Sequence, residues 1–252
     1  MSLRLGQAGS PEVSVPEMGE ESVADLSNFF PLTAYKSKLG LAESYRVELL
    51  KEITKDYKKE NIDHKKNETA WTGDVSGFEF LHVRKSFENL FKEISNQVET
   101  YRETLKVADN VFDFYYTRSW ATVTTNQQDI QFHKHLQSHI TAVYYLKVPK
   151  DSGDIILEPF LGYNQNEFIP GLLQKKSFTD GTLEPSLYLS PGAGINVETD
   201  DILIFPSKTS HGTVKSKAQE SRISISADIV AVLKDSNSKE YFLPPLDMWR
   251  KF

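Results

Sequence analysis

The chain has 252 residues, with 29 Lys and Arg against 35 Asp and Glu, giving a formal net charge of −6. That length carries one large domain or two small ones with ample interior for a core. The mild acidic excess argues against nucleic acid or an anionic membrane as partner. Cysteine is absent, which excludes disulfides, thiolate zinc sites, iron–sulfur clusters and thiol nucleophiles, and leaves His, Asp and Glu to hold any transition metal.

Residues 1–28 hold Gly, Pro, Ser and Glu without periodicity and read as a tail or an early edge strand. The N-terminus lacks the charged-then-apolar order of a signal peptide, and no apolar run approaches the ~20 residues of a membrane span, so the cytoplasm is the expected compartment. Residues 29–252 are expected to form a single domain. Within it, helical support is expected over about 40–107, a strand-rich core over about 111–233, and a C-terminal packing segment over 234–252.

Leu41, Tyr45, Leu49, Leu50, Ile53 and Tyr57 recur at three- and four-residue steps, which predicts an amphipathic helix over about 40–62. A second helix is expected from Ser86, as N-cap, to Val107. Phe87, Leu90, Phe91, Ile94, Val98, Tyr101 and Leu105 form its apolar stripe. Neither helix carries a chemical motif, so both read as scaffold.

From residue 111 the pattern changes to short runs rich in β-branched and aromatic residues: VFDFYYTRSWATVTT, HITAVYYLKV, GDIILEPF, SLYLSP, GINVET, DILIFPS and SRISISADIVAVL. Many short strands with no helices between them predict a sandwich, jelly roll or barrel, so the fold class is mainly β with flanking helices (α+β). The long turn-rich stretch 160–189 is expected to wall or cover a site. The C-terminal YFLPPLDMWRKF is apolar enough to pack on the domain or on a second copy, which allows a homodimer.

Three of the six histidines, His133, His135 and His139, lie in FHKHLQSHITAVYYL, and His211 follows the strand-like run DILIFPS. In an extended segment His133 and His135 point to one face. Two imidazoles on one face with a distant third are how a β-scaffold assembles a metal site. His64 and His82 read as ordinary polar residues. In Arg-Ile-Ser-Ile-Ser, Arg222, Ser224 and Ser226 share one face of a strand and Ile223 and Ile225 the other. Arg is the side chain whose planar fork grips a carboxylate. If the segment stays extended, Tyr145 shares the parity of the HxH pair, where its hydroxyl could donate to such a carboxylate; taken alone it reads as a core aromatic.

The ordered set HxH, SxxTAVYYLKVPxDSGDIILEPF, DDILIFPSxxxHGT and ESRISISADI, over roughly residues 115–232, resembles the iron(II)/2-oxoglutarate-dependent oxygenases with a double-stranded β-helix core. The resemblance implies a jelly-roll core, iron(II) as metal and 2-oxoglutarate as cosubstrate. The reaction it implies is oxidation of a second substrate, a small molecule or peptide, with release of succinate. By the same resemblance His133, His135 and His211 are the metal ligands, and Arg222, with Ser224 and Tyr145, holds the far carboxylate of the cosubstrate.

One departure stands out, because His135 occupies the position where the family usually has Asp or Glu, so the 2-His-1-carboxylate triad is replaced by three histidines. Asp129 is the nearest alternative carboxylate. A cupin-type metal-binding protein, or a cofactor-independent dioxygenase or isomerase, would share the histidine pattern but has no need of Arg222 with Ser224. A non-catalytic binding domain on the same fold is the remaining alternative.

Overall fold

The computed structural model describes residues 32–60, 63–158, 169–170, 172–184, 189–190, 192–237 and 239–252. The N-terminal segment 1–28 and most of the expected strand SLYLSP lie outside the described residues, as does much of the wall expected over 160–189.

In chain order the elements are β1 (Tyr35–Lys38), α1 (Glu43–Lys59), β2 (Trp71–Thr72), α2 (Glu88–Thr104), β3 (Phe112–Thr124), β4 (Ile140–Lys147) and β5 (Ile155–Glu158). They are followed by α3 (Lys175–Thr179), β6 (Ala193–Ile195), β7 (Asp201–Pro206), β8 (Ser210–Thr213) and β9 (Arg222–Leu233). A six-stranded sheet has the order β1-β7-β4-β9-β3-β2, and a three-stranded sheet the order β6-β5-β8. Every pairing between these strands is antiparallel. Two facing antiparallel sheets with helices against one of them match the expected jelly-roll core with flanking helices.

Alternation along the strands sorts the layers. Ala142 and Tyr144 of β4, Ile202 and Ile204 of β7, and Ile223, Ile225 and Ala227 of β9 form one core with the helix residues Leu49, Ile53, Leu90 and Ile94. The opposite parity, Val143 and Tyr145 of β4 with Leu203 and Phe205 of β7, packs between the sheets against Ile155 and Leu157 of β5. A one-residue slip of any of these strands would exchange the two sets.

Helix α2 departs from the expected boundaries. Ser86 lies in a 3-10 turn over Lys85–Phe87, and Phe87 takes the capping position without a side-chain bond. The cap comes from α1 instead: the Tyr45 hydroxyl donates to the Ser86 carbonyl at 2.9 Å and accepts from the Leu90 N–H at 3.1 Å, which satisfies an orphan donor of the first turn. At the other end the helix stops at Thr104 rather than Val107. Lys106 adopts φ 61°, which turns the chain away and leaves Leu105 42% exposed. No described helix is long and apolar enough to cross a membrane.

Candidate metal centre and cosubstrate pocket

A cavity of about 430 Å³ opens between the sheets, lined by His133, His135, His211, Tyr145, Arg222 and Ser224 among others. All the candidate residues are therefore brought together.

His211 lies inside a short strand, β8, rather than after one, where it pairs with Leu157 of β5. On its other side the segment carrying the HxH pair adds on. The His133 N–H donates to the His211 carbonyl and the His211 N–H to the His133 carbonyl, each at 3.0 Å. This reciprocal antiparallel bridge sets the two imidazoles side by side, with ring centroids 4.3 Å apart. The approach is close because residue 212 is glycine: a Cβ there would lie 2.9 Å from the Ile130 carbonyl oxygen. The His135 N–H donates to the Ser207 carbonyl at 3.0 Å, which keeps the segment extended and returns His135 to the face of His133.

One ligand nitrogen from each of His133, His135 and His211 lies within 4.8 Å of the others. The three Nδ1 atoms are already engaged. That of His133 meets the Gln131 carbonyl at 2.8 Å, that of His211 the Thr209 carbonyl at 2.9 Å, and that of His135 the Asp228 carboxylate at 2.5 Å. A carbonyl or carboxylate oxygen only accepts, so each Nδ1 carries the proton and each Nε2 presents a lone pair. The Nε2 atoms of His133 and His135 are 3.1 Å apart. Two ligands each ~2.1 Å from one ion at a right angle would be ~3.0 Å apart. The donor set therefore fits a divalent transition metal.

Burial first, then the neighbouring His133, pushes the His211 imidazole down to about 3. Burial likewise lowers His133, the most accessible of the three. Both rings are neutral at physiological pH, the form that binds metal. The Trp120 ring packs tilted against His135 with centroids 5.4 Å apart, and Phe205 meets His211 edge-on at 4.9 Å.

Arg222 lines the same cavity and is 2% exposed. Its Nη1 donates to the Gly153 carbonyl at 2.7 Å, while its Nε is buried without a partner among the described residues. Among the described residues no carboxylate forms an ion pair with it. A buried guanidinium with no ion-pair partner and an unfilled Nε donor among the described residues fits an anionic ligand. Tyr145 pairs across the sheet with Ser224, two residues along β9 from Arg222. Burial raises the Tyr145 hydroxyl, outweighing the opposing Arg222 charge, so it remains a donor.

The other histidines take structural places. His139 Nδ1 accepts from the Ala231 N–H at 3.0 Å, His82 contacts the Ser119 hydroxyl at 2.7 Å, and His64 stacks on Tyr57. Asp129 lines the wider cavity, and its carbonyl accepts from the Ala70 N–H, but its carboxylate is not part of the ligand cluster. The residue missed from the sequence is Asp228. Its signal was present, since Asp228 shares the even parity of Arg222, Ser224 and Ser226 on one strand.

Residues 118–228, which span all of these groups, match the family model described as "Putative 2OG-Fe(II) oxygenase". The match covers 111 of the 252 residues and supports the resemblance to that family. No curated protein sequence matches it. Among solved structures, the non-heme alpha ketoglutarate dependent carbocyclase SnoK from nogalamycin biosynthesis is similar with a TM-score of 0.52 at 14% identity, covering 88% of this chain and 90% of its own. The epimerase SnoN, in complex with Fe3+, alpha ketoglutarate and nogalamycin RO, has a TM-score of 0.50 at 13% identity and 79% coverage of each chain. AviO1 from Streptomyces viridochromogenes Tue57 has a TM-score of 0.50 at 10% identity, over 79% of this chain and 90% of its own. At such identities the likeness is one of fold. The matched family's description names iron(II) and 2-oxoglutarate, and the imidazole cluster and the partly satisfied guanidinium fit both.

Proposed function

We propose that this protein is an iron(II)- and 2-oxoglutarate-dependent dioxygenase that hydroxylates a small-molecule or peptide substrate. The observation that carries the reading is the placement of Arg222, buried with an unpaired Nε, in one cavity with three imidazoles whose Nε2 lone pairs converge.

His133, His135 and His211 would hold the iron, and Arg222 with Ser224 and Tyr145 the distal carboxylate of the cosubstrate. When bound, the iron and 2-oxoglutarate supply the oxidising chemistry, with succinate and carbon dioxide as co-products. The chain supplies position and environment. The Gln131, Thr209 and Asp228 oxygens hold the protons on the three Nδ1 atoms, so that the imidazoles act as neutral ligands. The Arg222 fork fixes the long axis of a dicarboxylate, and Val143 and Ile155 give that end of the cavity an apolar lining. His133, at the accessible side of the cluster, marks the side from which a substrate would approach.

The cupin reading is disfavoured by the same guanidinium, since a buried cation in one cavity with an imidazole cluster calls for an anionic ligand that a cupin does not need. The test is iron content together with succinate release from 2-oxoglutarate. The reading expects metal-dependent succinate formation in the parent and its loss in Arg222→Met. A parent chain that binds iron yet shows no 2-oxoglutarate binding overturns it.

A further inference from the structure

We propose that Asp228 is a positioning residue that supplies the metal centre, through the imidazole of His135, with the negative charge that a directly bound carboxylate provides elsewhere; this rests on the metal site proposed above. Among the described residues the ligand cluster is three imidazoles with no carboxylate. A carboxylate stands one step behind it: Asp228, 0% exposed, accepts from His135 Nδ1 at 2.5 Å.

Asp228 has no Lys or Arg partner among the described residues. Its other neighbours are neutral: Ser138 Oγ at 3.1 Å from Oδ1 and Gln137 Nε2 at 3.4 Å from Oδ2. A carboxylate buried without a full counter-charge needs a purpose to offset its desolvation. The short contact to Nδ1–H does two things for a metal ligand. It fixes the tautomer and the ring plane, so that Nε2 faces His133 and His211. It also draws the Nδ1 proton towards the carboxylate, which raises electron density on Nε2 and its donor strength.

The His135–Asp228 pair thus carries the same formal charge as a single Asp ligand, displaced outward by one ring. His133 and His211 have carbonyl oxygens at the equivalent position. Only His135, the histidine standing where the family usually places the acid, is backed by an acid. The competing structural role would be that Asp228 merely anchors residues 135–138, all of whose bonds to it converge on one carboxylate.

The experiment is cobalt(II) titration of the apoprotein, read by affinity and by the visible absorption of the bound ion. The variants are Asp228→Asn, His135→Asp, their double variant and His211→Ala. The parent is expected to bind and His211→Ala to lose binding; a parent that binds no cobalt overturns the metal-site reading and this inference with it. Asp228→Asn is expected to weaken binding ~10–100-fold and to shift the absorption bands. In the His135→Asp background, where the charge is already on the metal, the same change is expected to alter affinity within about twofold.

Parent-like binding by Asp228→Asn overturns the proposal while leaving the metal site standing. An equal loss in both backgrounds overturns it too, in favour of the anchoring role. Should Asp228→Asn fail to fold, Gln137→Ala/Ser138→Ala decides. Affinity held within about twofold supports charge delivery through His135, and a loss matching His135→Ala supports anchoring and overturns it.

Discussion

Arg222 Nη1 donates to the carbonyl oxygen of Gly153 at 2.7 Å across 69 residues of chain. The bond ties the first residue of β9 to the turn that leads into β5, and so links the two sheets beside the cavity that Arg222 lines. It restrains one arm of the guanidinium fork while Nε stays unpaired. Gly153 can serve this way because it sits at φ 86° with the Val214 backbone directly over the place a Cβ would take.

Gly153→Ala is therefore expected to be costly twice, through a left-handed backbone angle and through overlap with the Val214 carbonyl, by roughly 1–3 kcal/mol. It should also move the acceptor of Arg222 and weaken 2-oxoglutarate binding. Gly181→Ala is the control, with φ 77° but nothing near its Cβ. It should destabilise less and leave binding unchanged. Thermal unfolding and calorimetric titration of the two variants check both parts.

Arg222→Met keeps most of the side-chain volume and removes a buried charge that has no ion-pair partner among the described residues. The apoprotein should unfold at the same temperature as the parent or higher, because replacing poorly compensated buried charge by apolar groups is neutral or stabilising. Binding of 2-oxoglutarate should weaken by roughly 2–5 kcal/mol, the range for truncating one member of a buried charge pair. Stability lost with binding retained would contradict the cosubstrate role.

The histidines divide into ligands and bystanders. His135→Ala should weaken metal binding by more than about tenfold, since it removes a donor where changes behind a ligand already cost that much. His139→Ala should leave metal affinity unchanged, because His139 accepts from the Ala231 N–H and is not part of the ligand cluster. Asp129→Asn should do the same. Isothermal titration with iron(II) or cobalt(II) separates these outcomes.

Acid sensitivity is expected at the pairing of β1 with β7. Burial raises the Asp201 carboxyl, but hydrogen bonds from Lys38, the Glu198 N–H and Lys36 outweigh it and hold the group below its ordinary value. The two lysines are 40% and 49% exposed, so solvent screens the pairs and the net contribution is about 1 kcal/mol. A depressed folded-state pKa means that the unfolded chain binds the proton more readily. The contribution is then present above the unfolded value of ~3.9 and is lost as pH falls through the lower folded value. Asp201→Asn should destabilise at pH 7 and converge with the parent in strong acid, which denaturant unfolding at several pH values will measure.

Much of the site was legible in the chain because its signals are local. Strand alternation has a period of two, so Arg222, Ser224 and Ser226 on one face and Ile223 and Ile225 on the other follow from the order of the residues, and the structure keeps that division. The same rule extends to Asp228, and only the absence of a partner within sight in the sequence kept it from notice. Its partner His135 is 93 residues away.

What the sequence determined by itself was the element types, the mainly β class with flanking helices, and a set of histidines and an arginine with chemistry to perform. The tertiary structure decided which atoms meet. The start of α2 is capped by a tyrosine hydroxyl 45 residues upstream, and the His133–His211 bridge exists because a glycine lets two backbones approach. The charge behind His135 depends on the register of β9 against β4, where Asp228 lies opposite Thr141. Periodicity reports only the direction a side chain takes from its own backbone. Convergence on a common point is set by hydrogen-bond register between strands far apart in the chain, and by the close packing that admits one register.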